Sequence, residues 1–436
     1  KGCGMKLQLV VLGVLVGGLA MPGLAQWDPP GGQWGKSHAA DLRIMTWNIK
    51  DHICSTASKV EGYNSWCALA RIVAAMKPDF LLLQETGDNE GNGTGQGVDS
   101  VSTLETTIGL FLHGGQDPFN GGQVTAWVQK YAPQFDLPYV YVSPKTDNYN
   151  RNALLSRYPF ADLNGDGKSR IGDIPMVIAD EYAPGGNGGI RGFLFGEIDL
   201  ADGVYCGDLV IGNAHLKAGT DADSKQQRLV ASQNTAYVID YWFNGAGTGI
   251  PDPHDSIYDN PPATRILDQY TPVVVGGDWN EDELTNGRRG PADWLTQAAV
   301  TGGTDGTDRD RSDMTYDSAV ECFTGQRGTI GPTTKFDYLA WQDSIAALRR
   351  AFIFYTLEMP QNALPPELLD FAYPNYASVI ASDHRPVVLD LVMPLVAEGD
   401  CDPCADYVLG DTSGDGVVDG FDIGPFVLAL TDPNGY

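Results

Sequence analysis

Short runs of β-forming residues recur along the chain, and several of them end in polar side chains. The runs are Leu42–Ile49, Phe80–Glu85, Tyr139–Ser143, Ala153–Ser156, Gly192–Ile198, Leu209–Leu216, Pro272–Asp278, Phe336–Trp341 and Pro386–Val392. Helix-like stretches lie between some of them, at Cys67–Met76, Val124–Tyr131, Ser224–Phe243 and Ala292–Ala299. Strands and helices mixed in this way over such a length predict a layered α/β domain.

The polar residues at the ends of these runs are candidates for an active site. They are Trp47-Asn48, Gln84-Glu85, Ala214-His215 and Gly277-Asp278-Trp279-Asn280. A strand fixes the position of its last side chain and the following loop gives access, which is how sheets commonly present catalytic groups. Taken singly, each has an ordinary explanation: Asn48 as a turn cap, Glu85 as a surface acid and His215 as a hydrogen-bonded core histidine.

Together these segments form an ordered series of motifs. The series is Arg43–Asn48, Leu83–Thr86, Arg151–Arg157, Asn213–Lys217, Gly277–Asn280, Phe336–Leu339 and Ser382–Pro386. In the order of its motifs and in their local sequence, the chain resembles the endonuclease/exonuclease/phosphatase superfamily of metal-dependent phosphoesterases. The resemblance implies a deoxyribonuclease I-like catalytic domain over residues 41–396, a four-layer sandwich of two packed mixed β-sheets flanked by helices.

The resemblance also implies a role for each matching residue. Phosphoester hydrolysis requires a neutralised phosphate, an oriented water and a stabilised leaving group. A hard cation, Mg²⁺ or Mn²⁺, would be held by Asn48 and Glu85, with Asp383 as a further ligand. The implied phosphate-binding residues are Arg151, His215 and Asn280, and the implied catalytic residues are His215, Asp278, Asn280, Asp337 and His384. Asp278 would orient or deprotonate the water, and Asp337 would hold the His384 ring.

The residue at position 215 narrows the branches of the superfamily, and so the activities, that the resemblance implies. Abasic-site nucleases of the exonuclease III type carry an Asn-type motif where this chain has Ala214-His215-Leu216. A histidine there is more similar to deoxyribonuclease I, secreted nucleases, sphingomyelinases and inositol-polyphosphate phosphatases. The resemblance therefore implies a nuclease or general phosphodiesterase. A sphingomyelinase or phospholipid phosphodiesterase and a phosphomonoesterase are the alternatives, and segments 87–135, 244–270 and 301–330 are expected to form the substrate loops.

The sequence disfavours two other functions, a non-catalytic binding protein and a glycosidase. A non-catalytic scaffold- or surface-binding protein on the same fold would not need His215, Asp278 and His384, yet all are intact. A glycosidase would need two working carboxylates and neither the Asp278/Asn280 nor the Asp383/His384 pairing. The net charge of -28 repels polyanions at long range, which disfavours binding nucleic acid through basic patches alone.

The N-terminus predicts export. Lys6 precedes an apolar run from Leu9 to Met21, and small residues follow, which is typical of a cleaved signal peptide over residues 1–25. The run is too short and glycine-rich for a spanning helix, so we expect a secreted or cell-surface protein with no transmembrane segment in the mature chain. A Gly/Pro/Trp-rich linker follows at residues 26–40.

Seven cysteines are present, and Cys3 would be lost with the signal peptide. The others, an even number that favours disulfides in an exported protein, are Cys54, Cys67, Cys206, Cys322, Cys401 and Cys404. Cys54 with Cys67 would pin one loop, and Cys206 with Cys322 is a long-range pairing by elimination. A zinc site at Cys401 and Cys404 is disfavoured because no second pair or nearby His completes the four ligands.

The C-terminal segment 399–436 is rich in Asp and contains no Lys or Arg. It predicts a small EF-hand-like module with a Ca²⁺ loop whose ligands are Asp411, Ser413, Asp415, Val417, Asp419 and Asp422. With Asp at the twelfth position the loop resembles a dockerin repeat, which implies a cohesin-like or cell-surface partner. Dockerins normally carry two such repeats and this segment contains one, so we expect an incomplete or degenerate module.

A second loop inside the catalytic domain repeats this spacing. Asp162, Asn164, Asp166 and Asp173 occupy positions 1, 3, 5 and 12 around Gly167, while Arg170 at position 9 is a poor ligand. We expect a structural Ca²⁺ there, and a metal-free Gly/Asp-rich hairpin is the alternative.

Overall fold

The computed structural model describes residues 34–54, 58–87, 99–144, 150–163, 171–174, 193–239, 267–296 and 314–401. The strands are β1 (Leu42–Asn48), β2 (Phe80–Gln84), β3 (Gly115–Gln116), β4 (Gln123–Val124), β5 (Tyr139–Val142), β6 (Ala153–Ser156), β7 (Ile171–Ile174), β8 (Phe193–Ile198), β9 (Leu209–His215), β10 (Val273–Asp278), β11 (Met314–Tyr316), β12 (Asp337–Gln342), β13 (Ala347–Ile353) and β14 (Val387–Val392). The helices are α1 (Ser65–Met76), α2 (Val101–His113), α3 (Val128–Tyr131), α4 (Ala222–Val238), α5 (Pro291–Leu295), α6 (Pro366–Leu369) and α7 (Ala377–Ala381). Short 3₁₀ turns lie at Gln361–Ala363, Pro374–Tyr376 and Val396–Glu398.

Two six-stranded mixed sheets form the centre of the fold. Their strand orders are β13-β14-β1-β2-β6-β5 and β11-β12-β10-β9-β8-β7, and we call them the first and the second sheet. Each sheet contains one central parallel pair, β1 with β2 and β9 with β10. The described pairings around these two pairs are antiparallel.

Alternation of side chains along the strands produces the four layers. On β1, Ile44 faces the core between the sheets, whereas its neighbour Met45 faces the helices outside the first sheet. On β10, Val274 faces the inter-sheet core and Val275 faces the outer layer that includes α4 and α5. The predicted four-layer sandwich of two mixed sheets flanked by helices is therefore confirmed.

Helix α1 covers the outer face of the first sheet. The side chain of Asn64 caps its first turn by accepting a hydrogen bond from the Cys67 N–H, 2.8 Å away. The helix ends at Met76 because Lys77 adopts the left-handed conformation, with φ of 48°. Its apolar residues are buried almost throughout, so packing against the sheet stabilises it. Among the described residues, no helix is long and apolar enough to cross a membrane.

Some elements differ from the sequence prediction. Helix α2 lies within the segment expected to be a substrate loop, because three Thr residues lower its helix propensity, while Leu104, Ile108 and Phe111 give it a buried face. The helix predicted over Val124–Tyr131 is confined to Val128–Tyr131, since Val124 pairs in β4. Strand β13 was not predicted. Its first residues are exposed, which weakens the apolar signal.

The disulfide prediction was wrong. Cys206 is bonded to Cys401, with their Cα atoms 5.3 Å apart, and Cys54, Cys67 and Cys322 are free thiols. The chain trace explains the pairing, because the Cys206 N–H donates to the carbonyl of Pro394 at 3.0 Å and so aligns these two segments. The bond ties the end of the catalytic domain to the loop before β9, a contact that sequence distance does not reveal. Cys404 lies outside the described residues.

A buried ion cluster joins β1, β13 and β14. Asp390 receives a forked pair of hydrogen bonds from Arg43, at 2.6 and 2.8 Å, and two more from Arg350, at 3.1 and 2.8 Å. The remaining Arg43 nitrogen donates to the carbonyls of Trp34 and Met76 at 2.6 and 2.8 Å. Burial raises the pKa of Asp390, but the two guanidinium groups outweigh it, so the pKa lies below its ordinary value.

We expect Asp390→Asn to lower the free energy of unfolding by about 3–5 kcal/mol, because two buried arginines lose their counter-charge. A depressed folded-state pKa contributes stability above the unfolded-state value, near 3.9, and loses it as the pH falls through the folded value. The stability difference between wild type and variant should therefore be complete at neutral pH and shrink below about pH 4. Urea unfolding at several pH values measures it.

Glu367→Gln is the matched control, since Glu367 pairs with the exposed Lys77 at 2.9 Å. Loss of that pair should change stability by about 1 kcal/mol or less. A loss of similar size in the two variants would contradict the expectation.

Candidate active site

The predicted site residues meet at one edge of the sandwich because of strand register. In the second sheet, Asp278 at the end of β10 pairs with His215 of β9 on one side and Asp337 of β12 on the other. In the first sheet, Asn48 at the end of β1 pairs with Gln84 of β2, and Glu85 follows directly. Since paired residues share a face of the sheet, the polar side chains of each sheet lie in a row.

A buried amide pair joins the two sheets beneath these rows. Gln84 of the first sheet donates to the Asn213 side-chain oxygen of the second sheet at 2.7 Å. Asn213 in turn donates to the carbonyls of Leu83 and Ala153 at 2.9 and 3.0 Å. Both amides are fully buried, so this bridge fixes one sheet against the other.

One carboxylate oxygen forms the centre of the site. Asp278 Oδ2 lies 2.9 Å from Asn48 Nδ2, 3.5 Å from His215 Nε2 and 3.7 Å from His384 Nε2. Asn48 Nδ2 also lies 3.0 Å from Glu85 Oε1, so this amide stands between two carboxylates from different sheets. The arrangement brings together Asn48, Glu85, His215, Asp278 and His384.

The predicted pairing of Asp337 with His384 is present. His384 Nδ1 lies 2.8 Å from Asp337 Oδ2, and both side chains are buried. This contact orients the ring so that its other nitrogen faces Asp278. Burial alone would lower the pKa of His384, but the charges of Asp337 and Asp278 outweigh it and raise the pKa. Burial raises the pKa of Asp278, an effect that His384 opposes and Asp337 strengthens.

Backbone strain concentrates around these residues. The described non-glycine residues with positive φ are Lys50, Asp51, Lys77, Glu85 and Asn280. Apart from the helix cap Lys77, each lies directly after β1, β2 or β10, and Glu85 and Asn280 are themselves predicted site residues. Such conformations cost about 1–3 kcal/mol each and collect where function requires a particular side-chain direction.

Two predicted residues make other contacts. Arg151 donates to the carbonyls of Asp99, Ser143 and Pro144, at 3.1, 3.1 and 2.7 Å. These described contacts are structural, and its binding of phosphate stays a prediction. Asp383 is about half exposed, and its carboxylate lies 3.0 Å from Lys50 Nζ. The structure does not bring it into the Asp278 cluster, so its part in metal binding also stays a prediction.

Asn280 lies at the mouth of the site. Its N–H donates to Asp278 Oδ1 at 2.9 Å, and its side-chain amide donates to the Leu216 carbonyl at 3.1 Å. This second bond joins the loops after β9 and β10. The catalytic and phosphate-binding roles of Asn280 stay predictions.

The predicted calcium ligands fall largely outside the described residues. Asp411, Ser413, Asp415, Val417, Asp419 and Asp422 all do, as do Asn164 and Asp166. Asp162 is exposed, and Asp173 lies in β7. The calcium predictions therefore remain untested.

The donor set of the site fits a hard divalent cation. The carboxylates of Glu85 and Asp278 lie on either side of the Asn48 amide, and Asp278, Asp337 and His384 offer ligand atoms within 4.8 Å of one another. In addition, Asp337 Oδ1 is buried and accepts no hydrogen bond from the described residues. Oxygen-rich, acidic sites of this kind are those that Mg²⁺ or Mn²⁺ occupies.

The motif series did not assign roles to several residues that hold the site together. Ser382 donates to the Asn48 carbonyl at 2.7 Å and accepts a hydrogen bond from the His384 N–H at 3.1 Å. Gln84, Asn213 and Ser382 all lie inside the quoted motifs, and their position next to a site residue was the available signal. Arg228 on α4 donates to carbonyls in the loop that follows His215. It lies outside every motif, so the sequence offered no signal for it.

The sequence profile of the endonuclease/exonuclease/phosphatase family matches residues 45–413. The chain therefore belongs to this family, whose members are phosphoric ester hydrolases. No curated protein is found to match the sequence.

Solved structures give distant likenesses. An endonuclease/exonuclease/phosphatase protein from Beutenbergia cavernae is 18% identical, with a TM-score of 0.39, over 81% of this chain and 72% of that one. The catalytic domain of human nocturnin is 14% identical, with a TM-score of 0.41, over 81% and 93% of the two chains. Sphingomyelinase C from Streptomyces griseocarneus is 12% identical, with a TM-score of 0.40, over 80% and 99%. Likeness of this degree does not define a substrate.

The approach of β10 to β9 makes Gly277 irreplaceable. Its φ is 145°, and a Cβ atom there would lie 1.8 Å from the Ala214 carbonyl oxygen. We expect Gly277→Ala to lower the free energy of unfolding by about 3 kcal/mol or more, since strands must separate to admit the methyl group. Thermal unfolding by circular dichroism measures it.

Gly203→Ala is the control, because no atom lies within 4 Å of its added Cβ. A Gly277→Ala protein as stable as the control would show that β9 and β10 are not packed as described.

Proposed function

We propose that the protein is a divalent-metal-dependent phosphodiesterase, either a nuclease or a general phosphodiesterase. The observation that carries this proposal is the convergence of three polar groups, Asn48, His215 and His384, on the buried Asp278 carboxylate. This constellation contains the acid, base and hydrogen-bond donors that phosphoester hydrolysis requires.

The roles follow from chemistry and position. Asn48 and Glu85 would hold the cation, which when bound supplies charge neutralisation for the phosphate oxygens. Asp278 orients the attacking water. His384, held by Asp337, transfers a proton, and His215 donates a hydrogen bond to the phosphate or the leaving oxygen.

The test uses the purified protein with Mg²⁺ on two phosphodiesters, plasmid DNA and bis(p-nitrophenyl) phosphate, and on the monoester p-nitrophenyl phosphate. We expect hydrolysis that EDTA abolishes, and an Asp278→Asn protein in which kcat falls about 10²- to 10⁴-fold, because a general base is removed without a change of shape. Asp202→Asn, an exposed acid outside the site, is the control and should retain activity.

Each outcome identifies a different activity. Cleavage of the small diester alone would indicate lipid or small-molecule diesters such as sphingomyelin or phospholipid. Hydrolysis of p-nitrophenyl phosphate alone would indicate a phosphomonoesterase. Inactivity towards every ester would overturn the proposal in favour of a non-catalytic binding protein.

Export of the protein is part of the proposal. It rests on the signal-like segment 1–25 and is supported by the Cys206–Cys401 disulfide, because such bonds persist in oxidising compartments. Expression of the whole chain followed by N-terminal sequencing of secreted protein tests it, with cleavage near Ala25 expected. A protein retained inside the cell with an intact N-terminus would contradict it.

Calcium binding at 162–173 is proposed from sequence spacing alone. We expect a chelator to lower the melting temperature of wild type, because Ca²⁺ binds only the folded loop, and to have less effect on Asp166→Ala. The C-terminal loop would respond equally in both proteins, so the difference between them isolates the internal site. An equal decrease of the melting temperature in the two proteins would contradict calcium binding at 162–173.

A further inference from the structure

A buried arginine outside the family motifs contacts both loops that carry site residues. Arg228 lies on α4, and only 2% of its surface is exposed. Its Nη1 donates to the carbonyls of Lys217 and Gly219, at 2.6 and 2.9 Å, in the loop that follows His215. Its Nε donates to Glu281 Oε2 at 2.7 Å, directly after Asn280. One guanidinium therefore spans the loops after β9 and β10.

The same loops are joined at the site itself. The Leu216 N–H donates to the Asp278 carbonyl at 2.9 Å, and Asn280 donates to the Leu216 carbonyl at 3.1 Å. Arg228 completes this connection from the side of α4. We propose that Arg228 is a positioning residue, which holds the loop after His215 at a fixed distance from the loop that carries Asn280 through its contacts with both loops. This inference rests on the proposed phosphodiesterase activity.

The chemistry of the side chain fits this task. A guanidinium is planar, permanently charged and able to donate in several fixed directions, whereas the ammonium of Lys is a compact point charge. The fork is needed here because its acceptors are a carboxylate on one loop and two carbonyls on the other. Small displacements of catalytic groups slow the reaction strongly, since a shift of about 1 Å can reduce the catalytic rate about 10²-fold.

The neighbouring Arg288 is a control that distinguishes a positioning role of Arg228 from neutralisation of the Glu281 charge. Arg288 donates to the same Glu281 Oε2 at 2.6 Å, but its other described side-chain hydrogen bond goes to the Lys225 carbonyl in α4. It thus neutralises Glu281 without contacting the loop after His215. Because Arg288 remains, Arg228→Met does not leave Glu281 as an isolated buried charge.

The experiment compares Arg228→Met, Arg228→Lys and Arg288→Met with wild type, using bis(p-nitrophenyl) phosphate and Mg²⁺ below the melting temperature of each protein. We expect kcat of both Arg228 variants to fall about 10²-fold while KM changes less than about threefold, because the displaced groups act in the transition state. Arg288→Met should keep kcat within about threefold of wild type. Hydrogen exchange of the Leu216 amide should accelerate in the Arg228 variants alone.

Equal kcat in Arg228→Met and Arg288→Met, or wild-type kcat in Arg228→Lys, would overturn the inference. If Arg228→Met does not fold, Arg228→Lys decides, since it retains the buried charge. If wild type hydrolyses no phosphodiester, the proposed function fails, and Leu216 exchange then decides separately. Acceleration confined to the Arg228 variants supports the coupling of the two loops, and unchanged exchange refutes it.

Discussion

The hydrogen bond between Gln84 and Asn213 is the constraint on which the site depends. Sheets that meet through apolar side chains alone have no directional contact to fix how one lies on the other, because hydrophobic attraction is non-directional. A buried amide pair at 2.7 Å removes that freedom, since a small slip would break the hydrogen bonds that Asn213 makes with Gln84, Leu83 and Ala153 of the other sheet. Glu85 directly follows one amide and His215 lies two residues beyond the other, so the bridge sets their separation.

Buried hydrogen bonds fix the positions of neighbouring segments at three places in the molecule. Arg43, Asp390 and Arg350 fix the strands of the first sheet at the far side of the sandwich. The amide pair fixes the two sheets against each other. Beside the site, the hydrogen bonds of Asn280 and Arg228 hold the loops after β9 and β10. Buried polar contacts thus specify geometry at each level, while apolar burial supplies most of the stability.

The sequence was most informative where local pattern and chemistry coincide. Strand β10 is an apolar run that ends in Asp278, so both its existence and its functional end were predictable. Helix α2 was missed because its threonines lower helix propensity and its stability comes from packing of Leu104 and Ile108. The Cys206–Cys401 bond was missed because it depends on how Pro394 lies beside Cys206, a tertiary relation without a local signal.

The electrostatics of the site favour the divalent cation that we propose. Asn48 separates Glu85 from Asp278, and Asp337 adds a further carboxylate on the neighbouring strand. Burial raises the pKa of Asp278 most, His384 opposes that rise, and the charges of Asp337 and Glu85 add to it, so an ionised Asp278 carries a free-energy cost here. A divalent cation would remove the cost and return Asp278 to its ionised form, the form that can orient a water or accept its proton. In the proposed enzyme, binding of the cation and readiness for catalysis would therefore be coupled through the Asp278 carboxylate.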